Sequence, residues 1–306
     1  MRTLLLLVLF LVTGKISHSQ SLQFTFEGDS TTIPLVRDSL RGISGLDIVP
    51  ATGDWHLVSD RGWHFIFHNI HSIRDLGDVS RLTRQEKTPF WFESIRYAAG
   101  TSTYFWTDEY EYVTSLFYGK SPSDSAKHIL LKLPLPGPNK GLEGIAVTPS
   151  GALWVAPEAG WEGETRMNQD TITFFYYPNP LLSDPVVERY RYPINRCPFA
   201  QGEERLGGIS EILAVDNQRL LILERCYDAS QKRVTANLYL ATQNPATHTL
   251  TKELAFDFNR QFLDAVCNLE AMAWADDQKQ TLVLIADDNF RRNQTLRNQV
   301  IVLRRR

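Results

Sequence analysis

Short apolar strands alternate with polar turns along this chain, and most pairs of strands are bracketed by acids. Gly141 to Gly160, GLEGIAVTPSGALWVAPEAG, shows the pattern most plainly. Leu142, Ile145 and Val147 make a short apolar strand with a carboxylate, Glu143, near its start. Pro149-Ser150-Gly151 is turn chemistry, because Pro fixes φ and Gly accepts a positive φ. Ala152 to Ala156 makes a second apolar strand, which runs into Glu158. A hairpin sets the start of its first strand beside the end of its second, so Glu143 and Glu158 are expected together at one end of a sheet.

The same unit recurs. GISGLDIVPATGDWHLVSDRG (42–62) carries Ser44 and then Asp60; FESIRYAAGTSTYFWTDEY (92–110) carries Glu93, then Asp108 and Glu109. GISEILAVDNQRLLILER (208–225) carries Ser210 and Glu211, then Glu224; LEAMAWADDQKQTLVLIADDN (269–289) carries Glu270, then Asp287 and Asp288. The leading positions Ser44, Glu93, Glu143, Ser210 and Glu270 recur every 49 to 67 residues. A period of that size with several strands per unit predicts an all-β fold, a β-propeller of four-stranded blades. A β-sandwich with chance likeness between hairpins is the alternative, and it gives no reason for an acid at both ends of each unit.

Outer strands are expected at His64–Asn69 and Ile73–Val79, Tyr112–Tyr118 and His128–Leu133, Thr171–Tyr177 and Val186–Tyr192, and Val234–Thr242 and Thr249–Phe256. Ser21–Glu27 is expected to close the ring against Gln299–Leu303, because an unpaired propeller edge exposes backbone donors and acceptors. This makes five blades, or six if a degenerate one occupies Gly160–Leu206. Asn259–Val266 is expected to hold a turn or two of helix.

Composition adds location and partners. Arg2, the apolar run Leu4–Val12 and Ser17-His18-Ser19 read as a secretory signal over residues 1–19, with one domain over 20–306. The run is too short to span a bilayer. An exported chain, periplasmic or extracellular, with no membrane anchor and monomeric, is expected. Net charge of −3 argues against nucleic acid as a partner. Three cysteines allow one disulfide; Cys197 with Cys226 is the expected pair, with three unpaired, mostly buried thiols as the alternative. His64 and His68 share a strand face and are expected at the surface. Asn293-Gln294-Thr295 matches a glycosylation sequon.

In a propeller the first strand of each blade lines the central channel. Ser44, Glu93, Glu143, Ser210 and Glu270 would then form a ring of three carboxylates and two hydroxyls, which repel unless a cation or a shared proton is present. Oxygen-only donors suit Ca2+ or Mg2+, and a wide ring suits the larger ion. Arg41, Arg61, Arg196, Arg205, Arg225, Arg291 and Arg292 share this rim and would pair with the acids or hold an anionic ligand. No Gly-x-Ser-x-Gly elbow, His-Glu-x-x-His, Cys-x-x-Cys or phosphate loop is present.

GISGLDIVPATGDWHLVSDRG, GLEGIAVTPSGALWVAPEAG and NLEAMAWADDQKQTLVLIADDNF resemble, in this order, the repeated signatures of the phytase-like domain family, the "esterase-like activity of phytase" group. The likeness runs from about Arg37 to the end. It implies an exported bacterial propeller, ester or phosphoester hydrolysis, and Ca2+. Its motif residues fall on Glu143, Glu158, Glu270, Asp287, Asp288 and Asp60, with Ser44 and Arg61. The chain departs from the pattern at Glu93-Ser94 and Glu270-Ala271, where Gly usually follows the acid, and at Ser210-Glu211, where Ser replaces it.

Two readings follow. In the first, the ring holds Ca2+, and Asp60, Arg61, Glu158 and Asp287 act on a small anionic or ester substrate. In the second, the propeller is a non-catalytic binding module with a structural metal.

Overall fold

Each hairpin unit forms an antiparallel strand pair in the computed structural model, which describes residues 21–33, 40–110, 113–122, 126–129, 141–159, 171–195, 197, 207–228, 233–261, 266–288 and 297–306. The first strand, β1 (Phe24–Thr32), pairs with the last, β20 (Gln299–Arg305). Between them run β2 (Ile43–Val49), β3 (Asp54–Ser59), β4 (Trp63–Phe67) and β5 (Leu82–Lys87), then β6 (Phe92–Ala98), β7 (Thr103–Tyr110), β8 (Val113–Gly119) and β9 (Lys127–Ile129). Next come β10 (Leu142–Val147), β11 (Leu153–Pro157), β12 (Thr171–Tyr177) and β13 (Glu188–Pro193). They are followed by β14 (Gly208–Ala214), β15 (Arg219–Asp228), β16 (Arg233–Asn244) and β17 (Thr249–Asp257), then β18 (Asn268–Trp274) and β19 (Thr281–Asp287). The one α-helical turn described, α1 (Phe258–Gln261), buries Phe258. It overlaps the start of the helix expected over Asn259–Val266, of which residues 262–265 lie outside the described set.

Three sheets have four strands each: β2-β3-β4-β5, β6-β7-β8-β9 and β1-β20-β19-β18. One has eight, β10-β11-β12-β13-β17-β16-β15-β14, its two antiparallel halves joined by a single parallel pairing of Arg191 with Thr249. The leading strands pack side by side in a cycle, β2 on β6, β6 on β10, β10 on β14, β14 on β18 and β18 back on β2. Apolar cores fill the spaces between neighbouring units. Val58 meets Phe92, Ile95 and Trp106 in one, and Leu46, Trp55 and Leu57 meet Ala271, Val283 and Ile285 in another. The molecule is all-β and propeller-like. No helix among the described residues is long and apolar enough to cross a membrane.

The outer strands correct the sequence reading in the first unit. Ile73–Gly77 is a 3-10 turn rather than a strand, because Ser72 and Asp75 cap each other reciprocally: the Asp75 carboxylate accepts the Ser72 N–H at 3.0 Å. The edge strand is instead β5, LTRQEK, whose polar sequence carries no apolar alternation. His64 is also not at the surface. Its Nε2 lies 3.2 Å from His56 Nδ1, both rings are buried, and His56 Nε2 meets the Tyr104 hydroxyl at 3.1 Å. His68 is exposed, beside Asp54. Cys197 and Cys226 form a disulfide, and Cys267 is a buried thiol. The 1–19 segment, Arg196, Arg205, Arg291, Arg292 and the Asn293 sequon lie outside the described residues.

Candidate functional site

Every leading strand breaks register with its partner at the position singled out in the sequence. The shifts fall between Ile43 and Gly45, Phe92 and Ile95, Leu142 and Gly144, Ile209 and Glu211, and Leu269 and Ala271. Ser44, Glu93, Glu143, Ser210 and Glu270 therefore all lie in β-bulges, which free a residue from the ladder and re-aim its side chain. The residue after each is small in four of the five units, because the leading strands approach closely there. A Cβ on Gly45 would lie 3.1 Å from Ile95 N, and one on Gly144 only 2.8 Å from Ile212 N.

Three of these five residues bring carboxylates into one electrostatic group. Burial raises Glu93 well above the ordinary carboxylate range, and Glu143, Glu109, Asp60 and Glu270 push it further. Glu143 is likewise raised by burial, then by Glu158 and Glu270. Burial lifts Glu270 to about 7 against the pull of Arg225. The two hydroxyls behave differently. Ser44 Oγ donates to Phe92 O at 2.6 Å, tying the first unit to the bulge of the second. Among the described residues Ser210 Oγ is buried without a hydrogen-bond partner, as is Glu270 Oε2.

Arg225, from β15, supplies the positive charge of this group. Its guanidinium donates to Glu270 and Asn268 and lies 3.7 Å from Glu158. Burial works against that charge, but Glu270, Glu158 and Glu143 outweigh it and hold the pKa above its usual value. The disulfide anchors the next residue, Cys226.

The second-strand acids divide into two sets. Asp108 accepts the Trp91 N–H at 2.6 Å, Glu109 the Gly141 N–H at 3.1 Å, and Asp288 the Gly42 N–H at 3.2 Å. Glu224 accepts from Asn195 N–H at 3.2 Å, the Tyr192 hydroxyl and Lys252. These four hold loops between units. Asp60 and Glu158 face the inner carboxylates, as Glu109 also does, and burial raises Asp60 to about 6, eased by Arg61 4.0 Å away. Arg61 is largely exposed at the rim. Asp287 is buried at the same end, opposite Asn268 in the ladder.

Glu211 escaped the sequence reading as a functional position. It follows Ser210 where other units carry Gly45, Ser94, Gly144 and Ala271, and its side chain is fully buried. Arg96 pairs with it at 2.8 Å, and Ser94 Oγ donates to its two oxygens at 3.2 and 3.1 Å. Arg96 also donates to Leu46 O at 2.6 Å and Ile212 O at 2.9 Å, so three units are pinned at one buried point. Burial raises Glu211 to about 8 despite Arg96, and Asp47, next along, to about 6. Two departures from the repeat, Ser94 and Glu211, are thus complementary. That signal was in the sequence as an acid displaced by one residue.

A separate cavity of about 460 Å³ opens at the other end of the strands, over Ile48, Trp55 and Val283. It is remote from the acids.

Among the described residues no three His, Cys, Asp or Glu side chains stand close enough together to hold a metal ion. In kind, however, the donors fit a hard cation: all are oxygen, too many are acidic for one guanidinium to neutralise, and Ser210 Oγ and Glu270 Oε2 meet no hydrogen-bond partner among the described residues.

Fold and site together define a propeller-like all-β protein with acids converging at one end of its leading strands. The chain belongs to the Phytase-like family, described as "Esterase-like activity of phytase", whose model matches residues 38–290. Among solved structures it is similar to an endo-arabinase from Bacteroides thetaiotaomicron, with 12% identity, 92% of this chain and 97% of that one covered, and a TM-score of 0.52. It is also similar to the catalytic domain of a GH62 α-L-arabinofuranosidase from Coprinopsis cinerea, with 11% identity, 93% and 97% covered, and a TM-score of 0.50. At such identities the likeness is one of fold. No curated protein matches the sequence.

Proposed function

We propose that this protein is an exported, five-bladed propeller that hydrolyses phosphoesters or esters at its acidic end with the help of a divalent cation. The observation that carries the reading is one electrostatic group of Glu93, Glu143 and Glu270, three acids from three units, in which Arg225 acts on Glu143, Glu158 and Glu270 while Asp60 acts on Glu93. The cycle of leading strands and the pairing of β1 with β20 support five blades and a ring closed by the first and last strands. The family supports the hydrolase class.

Glu93, Glu143 and Glu270, with the hydroxyls of Ser44 and Ser210, would hold Ca2+; when bound, the ion supplies Lewis acidity toward a phosphoryl or carbonyl oxygen. Arg61 attracts the anionic or ester group at the rim. Asp60 takes a proton from water as the water oxygen bonds to phosphorus or carbon, and it returns that proton to the alcohol oxygen as the ester bond breaks. Arg225 keeps Glu158 and Glu270 in place, and Asp287 supports the same end from β19. Because burial holds Asp60 at about 6, activity should rise with pH through that value.

The test is turnover of phytate and p-nitrophenyl esters by the mature protein with and without Ca2+. Calcium-dependent turnover, lost together with calcium affinity in Glu143→Gln/Glu270→Gln, is expected. Calcium binding without turnover of either class would overturn the enzyme and favour the binding module. That second reading draws on Arg225, which already balances part of the acidic charge without any ligand.

A further inference from the structure

On the rim beside Asp60, two cations lie over two indoles. Arg61, in the turn after β3, holds its guanidinium carbon 5.9 Å from the Trp91 ring centre. Lys87, which ends β5 opposite Trp63, places Nζ 5.3 Å from the Trp63 ring centre. Both charges act on the Asp60 carboxylate. The group is open to solvent: the Arg61 side chain is 55% exposed and Trp91 38%.

The backbone beneath is fixed. Thr88 N–H donates to Gly62 O at 2.8 Å, which ties the two rim segments together. Trp91 donates its N–H to Asp108 at 2.6 Å and accepts the Glu109 N–H at 2.9 Å, so a rigid main chain presents its exposed ring. Such an indole binds with little loss of conformational freedom.

We propose that Arg61, Lys87, Trp63 and Trp91 form a subsite for a ring that carries one anionic group, the ring lying on Trp91 and the anion between the two cations. This rests on reading the acidic end as the substrate-binding face, and it deepens that reading by placing the non-reacting part of the substrate. Phosphate, phosphonate or carboxylate suits an Arg–Lys pair. A nucleic-acid strand is disfavoured, because two cations beside Asp60 and Glu93 in a chain of net charge −3 repel a polyanion beyond its first phosphate.

Calorimetric titration with benzylphosphonate, methylphosphonate and benzyl alcohol tests the subsite, since none of the three can be hydrolysed. Benzylphosphonate is expected to bind about tenfold tighter than methylphosphonate. Trp91→Ala should erase that advantage and Trp91→Phe retain it. Arg61→Gln/Lys87→Gln should weaken both phosphonates about tenfold and leave benzyl alcohol unchanged. Equal binding of the two phosphonates by the wild type would overturn the proposal. So would wild-type titrations by Trp91→Ala and the double variant at an unchanged thermal midpoint. Absent turnover leaves these binding differences intact, whereas turnover without them removes the subsite and spares the hydrolase.

Discussion

Glu211 is the side chain on which the centre of the molecule turns. It stands where its counterparts are Gly, Ser, Gly and Ala, and it joins Ser94 and Arg96 across two units. Truncating one partner of a buried ion pair leaves the other charge unanswered, so Glu211→Ala is expected to cost about 3 kcal/mol or more in chemical denaturation. Glu211→Gln keeps the shape and matches the protonated form that burial favours up to about pH 8. It should cost roughly 1 kcal/mol. Equal losses in the two variants would show that the carboxylate is fully ionised. At this scale the sequence was informative about type and weak about pairing. Acids at Glu93, Glu143 and Glu270 were legible from repetition; the Cys197–Cys226 pair was the expected one, but repetition put all three cysteines at one face and did not choose between them. The Glu211–Arg96 contact was not, because no local pattern joins residues from units so far apart in the chain. His64 was misplaced because its partner, His56, comes from the neighbouring strand.

Among the elements, the leading strands matter most. Their apolar residues made β2, β6, β10, β14 and β18 readable, while the bulge in each is a property of pairing and leaves no mark on hydrophobic alternation. The close approach at Gly144 is its clearest physical trace. A methyl there meets the Ile212 backbone, which cannot swing aside as a side chain would. Gly144→Ala is expected to destabilise by about 2 kcal/mol. It should also weaken calcium binding, since Glu143 precedes it; unchanged stability in a melting experiment would mean the leading strands can part. Edge elements were the least legible. β5 has a mostly polar sequence, and the Ser72–Asp75 capping box made a 3-10 turn of a segment whose isoleucine and leucine resembled a strand.

For the molecule as a whole, the raised carboxylates fix how stability responds to pH. Asp60 at about 6, Glu270 at about 7 and Glu211 at about 8 all lie above their unfolded values, so the folded chain binds more protons than the unfolded one between those limits. Their contribution is full below about pH 4 and is lost as pH rises through the folded values. In a chelating buffer the melting midpoint should therefore fall from about pH 5 to about pH 8. Calcium should restore more of it at the upper end, where the acids are ionised. A profile that climbs with pH in chelator would contradict the buried acid group.

The pairing of β1 with β20 has a bearing on how such a chain comes into being. Residues 24–32 are synthesised well before the ladder that receives them, 299–305. The opening segment must wait, unmated, while nearly everything else is laid down. A clasp of this kind makes the joining of β1 to β20 a late act of assembly, and removal of residues 299–305 would leave β1 and β19 without the strand they share.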